Sequence, residues 1–170
     1  VNKRIDLLIR GLARLPREYA LVVAGDNERP EYAEVMEGCL RLAVELKVEG
    51  RVAFAGRVSD RRLAAIYQSA DVFVSASLHE GFGMPFLEAM ASGLPCVGSE
   101  IAAIPEVQAG AGLLFEPENP EDLARQVMSL CGDVTLYRSC VQKGLDRAQA
   151  LSREALEESL CRILAAVTAN

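Results

Sequence analysis

The sequence has no tryptophan, a single histidine and few aromatic residues, 5% in all. One histidine excludes a His-rich metal centre and any pair of histidines working together. So few rings also argue against the stacking platform that many single-strand nucleic-acid binders use. Cysteine is present but unpatterned: Cys39, Cys96, Cys131, Cys140 and Cys161 are odd in number, widely spaced and never arranged as CxxC. They fit neither a zinc knuckle nor a disulfide framework, and read as small buried hydrophobes in a reducing compartment. No apolar run approaches the roughly 18 residues of a membrane span, and the first residues carry no signal-peptide pattern.

What is present suits a packed core. Apolar residues make up 51% of the 170 and charged residues 25%, enough for one compact domain over 1–170. Basic residues number 18 against 24 acidic ones, a net charge of −6. That argues against a general binder of nucleic acid or anionic membrane, and leaves room for a local basic pocket.

Short apolar runs alternate with helical periodicity. Ile5, Leu8, Ile9, Leu12 and Leu15 recur at helical spacing, and Pro16 ends that segment. Tyr19–Ala24 reads as a buried strand closed by Gly25-Asp26-Asn27, and Glu31–Leu46 as a second helix with Val35, Cys39, Leu42 and Leu46 on one face. Val52–Ala55 is a strand, Asp60 caps a helix reaching Ser69, and Asp71–Ser75 is a strand. A loop to Gly83 precedes a helix over Met84–Ser92; Pro95–Gly98 and Gly112–Phe115 are further strands, with a helical turn at Pro105-Glu106 between them. Asn119 and Pro120 open a helix with N-cap and first-turn chemistry. Two more helical stretches follow, the last over Ser152–Val167. The alternation predicts an α/β fold, a doubly wound parallel sheet with helices on both faces. Ligands of such sheets sit beyond the carboxyl ends of the strands.

The loop richest in chemistry follows the third strand: His79-Glu80-Gly81-Phe82-Gly83-Met84-Pro85-Phe86-Leu87-Glu88. Its glycines let backbone approach a ligand, Pro85 suits a first helical turn, and N–H groups at a helix N-terminus attract phosphate. Glu80 and Glu88 flank those groups, and a carboxylate accepts paired sugar hydroxyls well. The spacing alone means little, since Glu37 and Glu45 repeat it in an ordinary amphipathic helix and read as solvated surface. His79 adjoins the motif, but a loop histidine is usually a structural hydrogen-bonder. Phe54, Phe73 and Phe86 read as core, and Phe82 as a residue that shapes the loop.

Glu80-Gly-Phe-Gly with Glu88-Ala-Met-Ala-Ser-Gly-Leu-Pro resembles the donor-binding signature of GT-B glycosyltransferases, especially the large retaining family 4. Lys3-Arg-Ile-Asp-Leu-Leu-Ile, Val23-Ala-Gly-Asp, Val52-Ala-Phe-Ala-Gly-Arg-Val, Ala70-Asp-Val-Phe-Val-Ser and Pro105-Glu106 match further family segments in the right order. The resemblance implies a Rossmann-like donor domain that binds a nucleotide-diphosphate sugar, without a metal or other cofactor. It gives Glu88 the nucleotide ribose and places Glu80 beside the donor sugar. The backbone of Gly81, Phe82 and Gly83 then meets sugar and diphosphate. Lys3 contacts the diphosphate and supports the departing charge, Gly25 flanks the phosphate cleft, and Arg57 and Val58 lie beside the base. It further implies a separate N-terminal domain, absent from this chain, that holds an acceptor sugar or glycolipid, with an arginine partner to Lys3 upstream of Val1. Cytoplasmic polysaccharide assembly, at the inner membrane face for a longer protein, is the setting it suggests. An isolated donor domain is expected to transfer sugar poorly.

The sequence departs from the pattern at three places. Arg4 stands where glycine is usual, Asn27 replaces a frequent glycine, and Ala102-Ala103 replace a frequent glycine pair, where added methyls narrow a phosphate cleft. A GT-B-like sugar-nucleotide epimerase and a non-catalytic nucleotide-sugar module remain open alternatives. A phosphorylase requires a pyridoxal-binding lysine in a context not found here. A NAD-type dehydrogenase requires GxGxxG after the first strand, which is missing.

Overall fold

A computed structural model describes residues 3–25 and 30–152, together with Ala155 and Glu157. The elements run α1 (Ile5–Leu12), β1 (Leu21–Ala24), α2 (Pro30–Glu45), β2 (Val52–Gly56), α3 (Asp60–Ser69), β3 (Phe73–Ser75) and α4 (Met84–Ala91). They continue with β4 (Cys96–Ser99), α5 (Ile104–Gln108), β5 (Leu113–Phe115), α6 (Pro120–Gly132) and α7 (Val134–Ala150). Of the helix expected over Ser152–Val167 only Ser152, Ala155 and Glu157 are described: the last two are helical, and Ser152 Oγ accepts the Ala155 N–H at 3.3 Å; the Asp26-Asn27 turn lies outside the described residues.

Every strand pairing is parallel, so the architecture is the expected Rossmann-like α/β one. The pairing falls into two ladders rather than one: β1 with β2, and β3–β4–β5. Leu21 lies opposite Val52, Phe73 opposite Cys96, and Val97 opposite Leu113. β1, β3 and β5 are shorter than the runs that announced them, β2 extends one residue further, to Gly56, and β4 is displaced by one residue. Pro95 stays outside β4 because it has no N–H to donate, yet its carbonyl still accepts the Phe73 N–H at 3.0 Å.

Side chains alternate across β4, which is buried on both faces. Val97 joins a cluster with Leu7 and Leu8 of α1, Leu123, Val127 and Leu130 of α6, and Phe115; Leu21 of β1 and Val74 of β3 pack against it. That shared cluster joins the two ladders through side chains. Cys96 points the other way, into a cluster with Phe86, Leu87 and Met90 of α4 and Ile104 of α5. Helices therefore cover both faces. A third cluster seats Ile9 and Leu12 of α1 on Cys39, Leu42 and Ala43 of α2. Cys39, Cys96 and Cys140 are free and buried, Cys131 free and half-buried.

Caps fix where the helices begin. Asn119 Oδ1 accepts the Asp122 N–H at 2.9 Å, as its N-cap role requires. At α3 the cap is Ser59, whose hydroxyl accepts the Arg62 N–H; Asp60, expected there, is the first helical residue, where its charge favours the helix dipole. Asp133 caps α7 by accepting the Thr135 and Leu136 N–H groups. Arg51 reaches back to donate to the carbonyls of Leu12, Leu15, Pro16 and Tyr19, fixing the turn from α1 into β1.

Two glycines make room for one buried side chain. A Cβ on Gly98 would lie 2.4 Å from Gln108 Nε2, and one on Gly112 would lie 2.3 Å from Gln108 Oε1 and 2.5 Å from the Cys96 carbonyl oxygen. Backbone of a central strand cannot withdraw from such a contact. Gly112→Ala is therefore expected to cost about 2 kcal/mol or more, whereas Gly132→Ala, with nothing within 4 Å of the new carbon, stays neutral or stabilises. Urea denaturation of both variants tests this, and equal midpoints would show that the Gly98–Gln108–Gly112 packing does not constrain the fold.

Candidate functional site

Parallel strands send their carboxyl ends the same way within each ladder. The sequence motifs lie in the loops at those ends: Gly25 after β1, Arg57 and Val58 after β2, and residues 76–83 after β3. The first two loops are joined, since the Gly25 N–H donates to the Gly56 carbonyl at 3.1 Å. Arg57 is exposed and Val58 half-buried.

The loop after β3 feeds α4 through a glycine that no other residue replaces without strain. Gly83 is the N-cap of α4 at φ 72°, a left-handed conformation, and it is buried. Its carbonyl accepts from the Phe86 and Leu87 N–H groups, which starts the helix. Pro85 follows in the first turn, where no N–H is needed. The backbone N–H groups of Gly81, Phe82, Gly83 and Met84 have no acceptor among the described residues. These four consecutive donors lie at the positive end of a helix dipole, with Gly81, Phe82 and Met84 exposed and Gly83 buried. Phe82 and Met84 are 50% and 52% exposed beside them.

The structure brings two of the predicted residues together from far apart in sequence. Lys3 Nζ donates to Glu80 Oε1 across 77 positions, with the lysine side chain 53% exposed and the glutamate 11%. The ammonium therefore sits at the mouth of the α4 turn and neutralises a carboxylate with little access to water. Glu88 lies on the exposed side of α4. Sequence reasoning assigned it no partner, yet Tyr67 of α3 donates its hydroxyl to Glu88 Oε2 at 3.0 Å. Burial first, and then the Glu88 carboxylate, pushes the Tyr67 hydroxyl well above the usual tyrosine range, so it remains a donor. The Glu37–Glu45 pair behaves as surface: Glu37 pairs with Arg41 one turn along α2, both side chains about two-thirds exposed.

The unusual residues have physical explanations. Arg4, where glycine is usual, occupies a left-handed conformation at φ 46° and caps α1. Its guanidinium donates to both Asp6 oxygens, at 3.0 and 3.1 Å, and to Glu118. Those bonds, to Asp6 above all, raise the Arg4 pKa further. Burial opposes ionisation of Asp6, but the Arg4 bonds hold its carboxyl below the usual range. Of the alanine pair, Ala102 has φ 51° while Ala103 is right-handed at φ −81°. Only the first position asks for glycine. After it comes α5, whose last carbonyls, from Glu106 and Val107, accept from Arg147 of α7. Among the described residues no three His, Cys, Asp or Glu side chains gather to hold a metal, and no helix is long and apolar enough to cross a membrane.

The arrangement offers aligned amide dipoles and an ammonium for an oxyanion, with carboxylates on either side for hydroxyls. The model of the group 1 glycosyl transferases matches residues 1–133. O-antigen chain mannosyltransferase B of Escherichia coli is 35% identical over 158 residues, 90% of this chain and 40% of that protein. Sucrose-phosphate synthase of Thermosynechococcus elongatus superposes with a TM-score of 0.82 at 30% identity, over 99% of this chain and 43% of its own. The C-terminal domain of LpcC, a group 1 glycosyl transferase family protein of Francisella tularensis, superposes with a TM-score of 0.77 at 25% identity, over 88% of this chain and 80% of its own. The chain spans less than half the length of the curated relatives it matches. The fold and the family match together define a glycosyltransferase domain of the GT-B type. The chain belongs to the group 1 glycosyl transferases.

The backbone at the alanine pair makes a prediction of opposite signs. Ala102→Gly relieves a left-handed alanine, about 1 kcal/mol, offset in part by the freer unfolded chain. Ala103→Gly gains nothing and costs about 0.5–1 kcal/mol. Denaturant midpoints should therefore place Ala102→Gly above Ala103→Gly, and the reverse order would refute the strain at residue 102.

Proposed function

We propose that this chain is the donor half of a retaining, family 4-like glycosyltransferase, which holds a nucleotide-diphosphate sugar for transfer to an acceptor. The observation that carries the reading is the run of unpaired N–H groups at Gly81–Met84 with Lys3 drawn up beside it. Breaking the bond between the anomeric carbon and the phosphate oxygen leaves a nucleoside diphosphate with additional negative charge. Amide dipoles and an ammonium already aimed at that point stabilise the charge without reorganisation and without a metal ion. In this reading Lys3 meets the diphosphate, Glu80 lies by the donor sugar, and the backbone of Gly81, Phe82 and Gly83 spans the two. Glu88 takes the ribose hydroxyls, Gly25 borders the phosphates, and Arg57 and Val58 flank the base.

The Lys3–Glu80 pair matters to the charge balance. A carboxylate this close to the phosphates would repel them, and the ammonium between the two anions removes that repulsion. Without donor, the same lysine keeps Glu80 from standing as an uncompensated, largely buried charge.

The acceptor site belongs, in this proposal, to a second α/β domain. Gly81 and the apolar Phe82 and Met84 form one exposed wall, and excluding water from the reaction requires another. The likeness to a C-terminal domain of a group 1 enzyme supports placing this chain as the C-terminal half. The match to an O-antigen chain mannosyltransferase supports an acceptor that is a growing sugar chain.

Titration calorimetry with UDP-, GDP- and ADP-sugars tests the donor reading. One of the three should bind, and Glu88→Ala should weaken it about tenfold or more, the scale of a lost charged hydrogen bond, while the unfolding midpoint stays put. Unchanged affinity would remove Glu88 from the site.

A further inference from the structure

Tyr67 lies outside every motif that the donor reading uses, on a different helix from Glu88 and 21 residues before it. Its ring is held by core packing. Tyr67 meets Phe73 of β3 edge to face at 6.1 Å and 64°, and Phe73 meets Phe86 of α4 at 5.1 Å and 88°. Phe86 is fully buried. The position of the phenol oxygen is thus set by a ladder of rings that ends on the same helix as Glu88. The Glu88 side chain, by contrast, is long, exposed and rotatable, and Tyr67 is the one hydrogen-bonding partner its carboxylate has among the described residues.

We propose that Tyr67 is a positioning residue for ribose recognition: its hydroxyl fixes the Glu88 carboxylate by donating to Oε2, leaving Oε1 and the remaining lone pairs for the vicinal sugar hydroxyls. The proposal rests on the donor reading above. A vicinal diol presents two donors at a set separation and asks for acceptors in one plane. A freely rotating glutamate meets that demand only after losing rotamer freedom, and that loss subtracts from affinity. An anchor on one oxygen takes the loss during folding instead. Because the phenol is a donor and a carboxylate only accepts, the pair leaves no polarity conflict when the ribose arrives. Tyr67 needs no contact with the ligand for this role.

The test is calorimetry on the 170-residue chain with UDP, GDP and ADP, then with the 2′,3′-dideoxy form of the tightest binder. Tyr67→Phe keeps the ring ladder and removes only the hydroxyl. It should lower affinity for the ribonucleotide about three- to tenfold, the scale of immobilising one rotamer-rich side chain on binding, and leave affinity for the dideoxy nucleotide unchanged. In a Glu88→Ala background the same substitution should have no further effect. Equal loss for both nucleotides would show a merely structural role and overturn the proposal, as would no loss for either. If Glu88→Ala weakens binding and Tyr67→Phe does not, the positioning role alone fails. If no nucleoside diphosphate binds, or Glu88→Ala binds like the parent, the donor reading fails and this inference with it.

Discussion

Four neighbouring backbone N–H groups without acceptors among the described residues, at 81–84, are the constraint around which the rest is organised. Protein backbone rarely leaves donors unpaired, and here they lie at a helix end, where Gly81, Phe82 and Met84 are exposed and Gly83 is buried. Holding them there takes a buried glycine at φ 72°, a proline in the first turn, and a helix pinned underneath by Phe86 and Met90. The price of that local arrangement is met by β4, where side chains on both faces are buried. The fold supplies the rigid base and the loop supplies the chemistry.

Charge is arranged on the same plan. The chain is acidic overall, so an anionic ligand gains nothing from its long-range field. What attraction there is must be local, and Lys3 delivers it at the mouth of the turn, tied to Glu80. The neighbouring Arg4 is turned away into bonds with Asp6 and Glu118. Two adjacent cations therefore do different jobs: one faces the site, and the other braces the start of α1 against residues far along the chain. That bracing also compensates the left-handed backbone at Arg4, which a glycine would adopt freely.

Much of this was legible in the sequence, for identifiable reasons. The alternation of short apolar runs with amphipathic segments gave the α/β class, because the two periodicities are distinct. Gly83 and Pro85 marked the start of α4, since each residue type is suited to only a few backbone positions. Strand ends were less legible: Val72 belongs to the apolar run read as a strand from Asp71, but pairing begins only at Phe73. The Ser59 cap was hidden behind Asp60, two capping residue types in succession of which geometry selects one. The split into two ladders was not readable, because both halves have the same pattern and differ only in which strands pair. Tyr67 left no local signal either. It sits on a helix with no fully buried residue, and its partner lies on another element. The left-handed backbone at Ala102 showed only as an alanine in place of a family glycine, an oddity that became physical once its φ was known.

The central claim, that the amides at the head of α4 grip a diphosphate, is open to direct measurement. Amide proton–nitrogen spectra of the labelled chain, titrated with UDP, GDP and ADP in turn, report each of those N–H groups separately. The account predicts that the largest shifts, downfield as a hydrogen bond to an anion requires, fall on Gly81, Phe82, Gly83 and Met84. Saturable shifts confined to other parts of the chain, with those four amides unmoved, would contradict it.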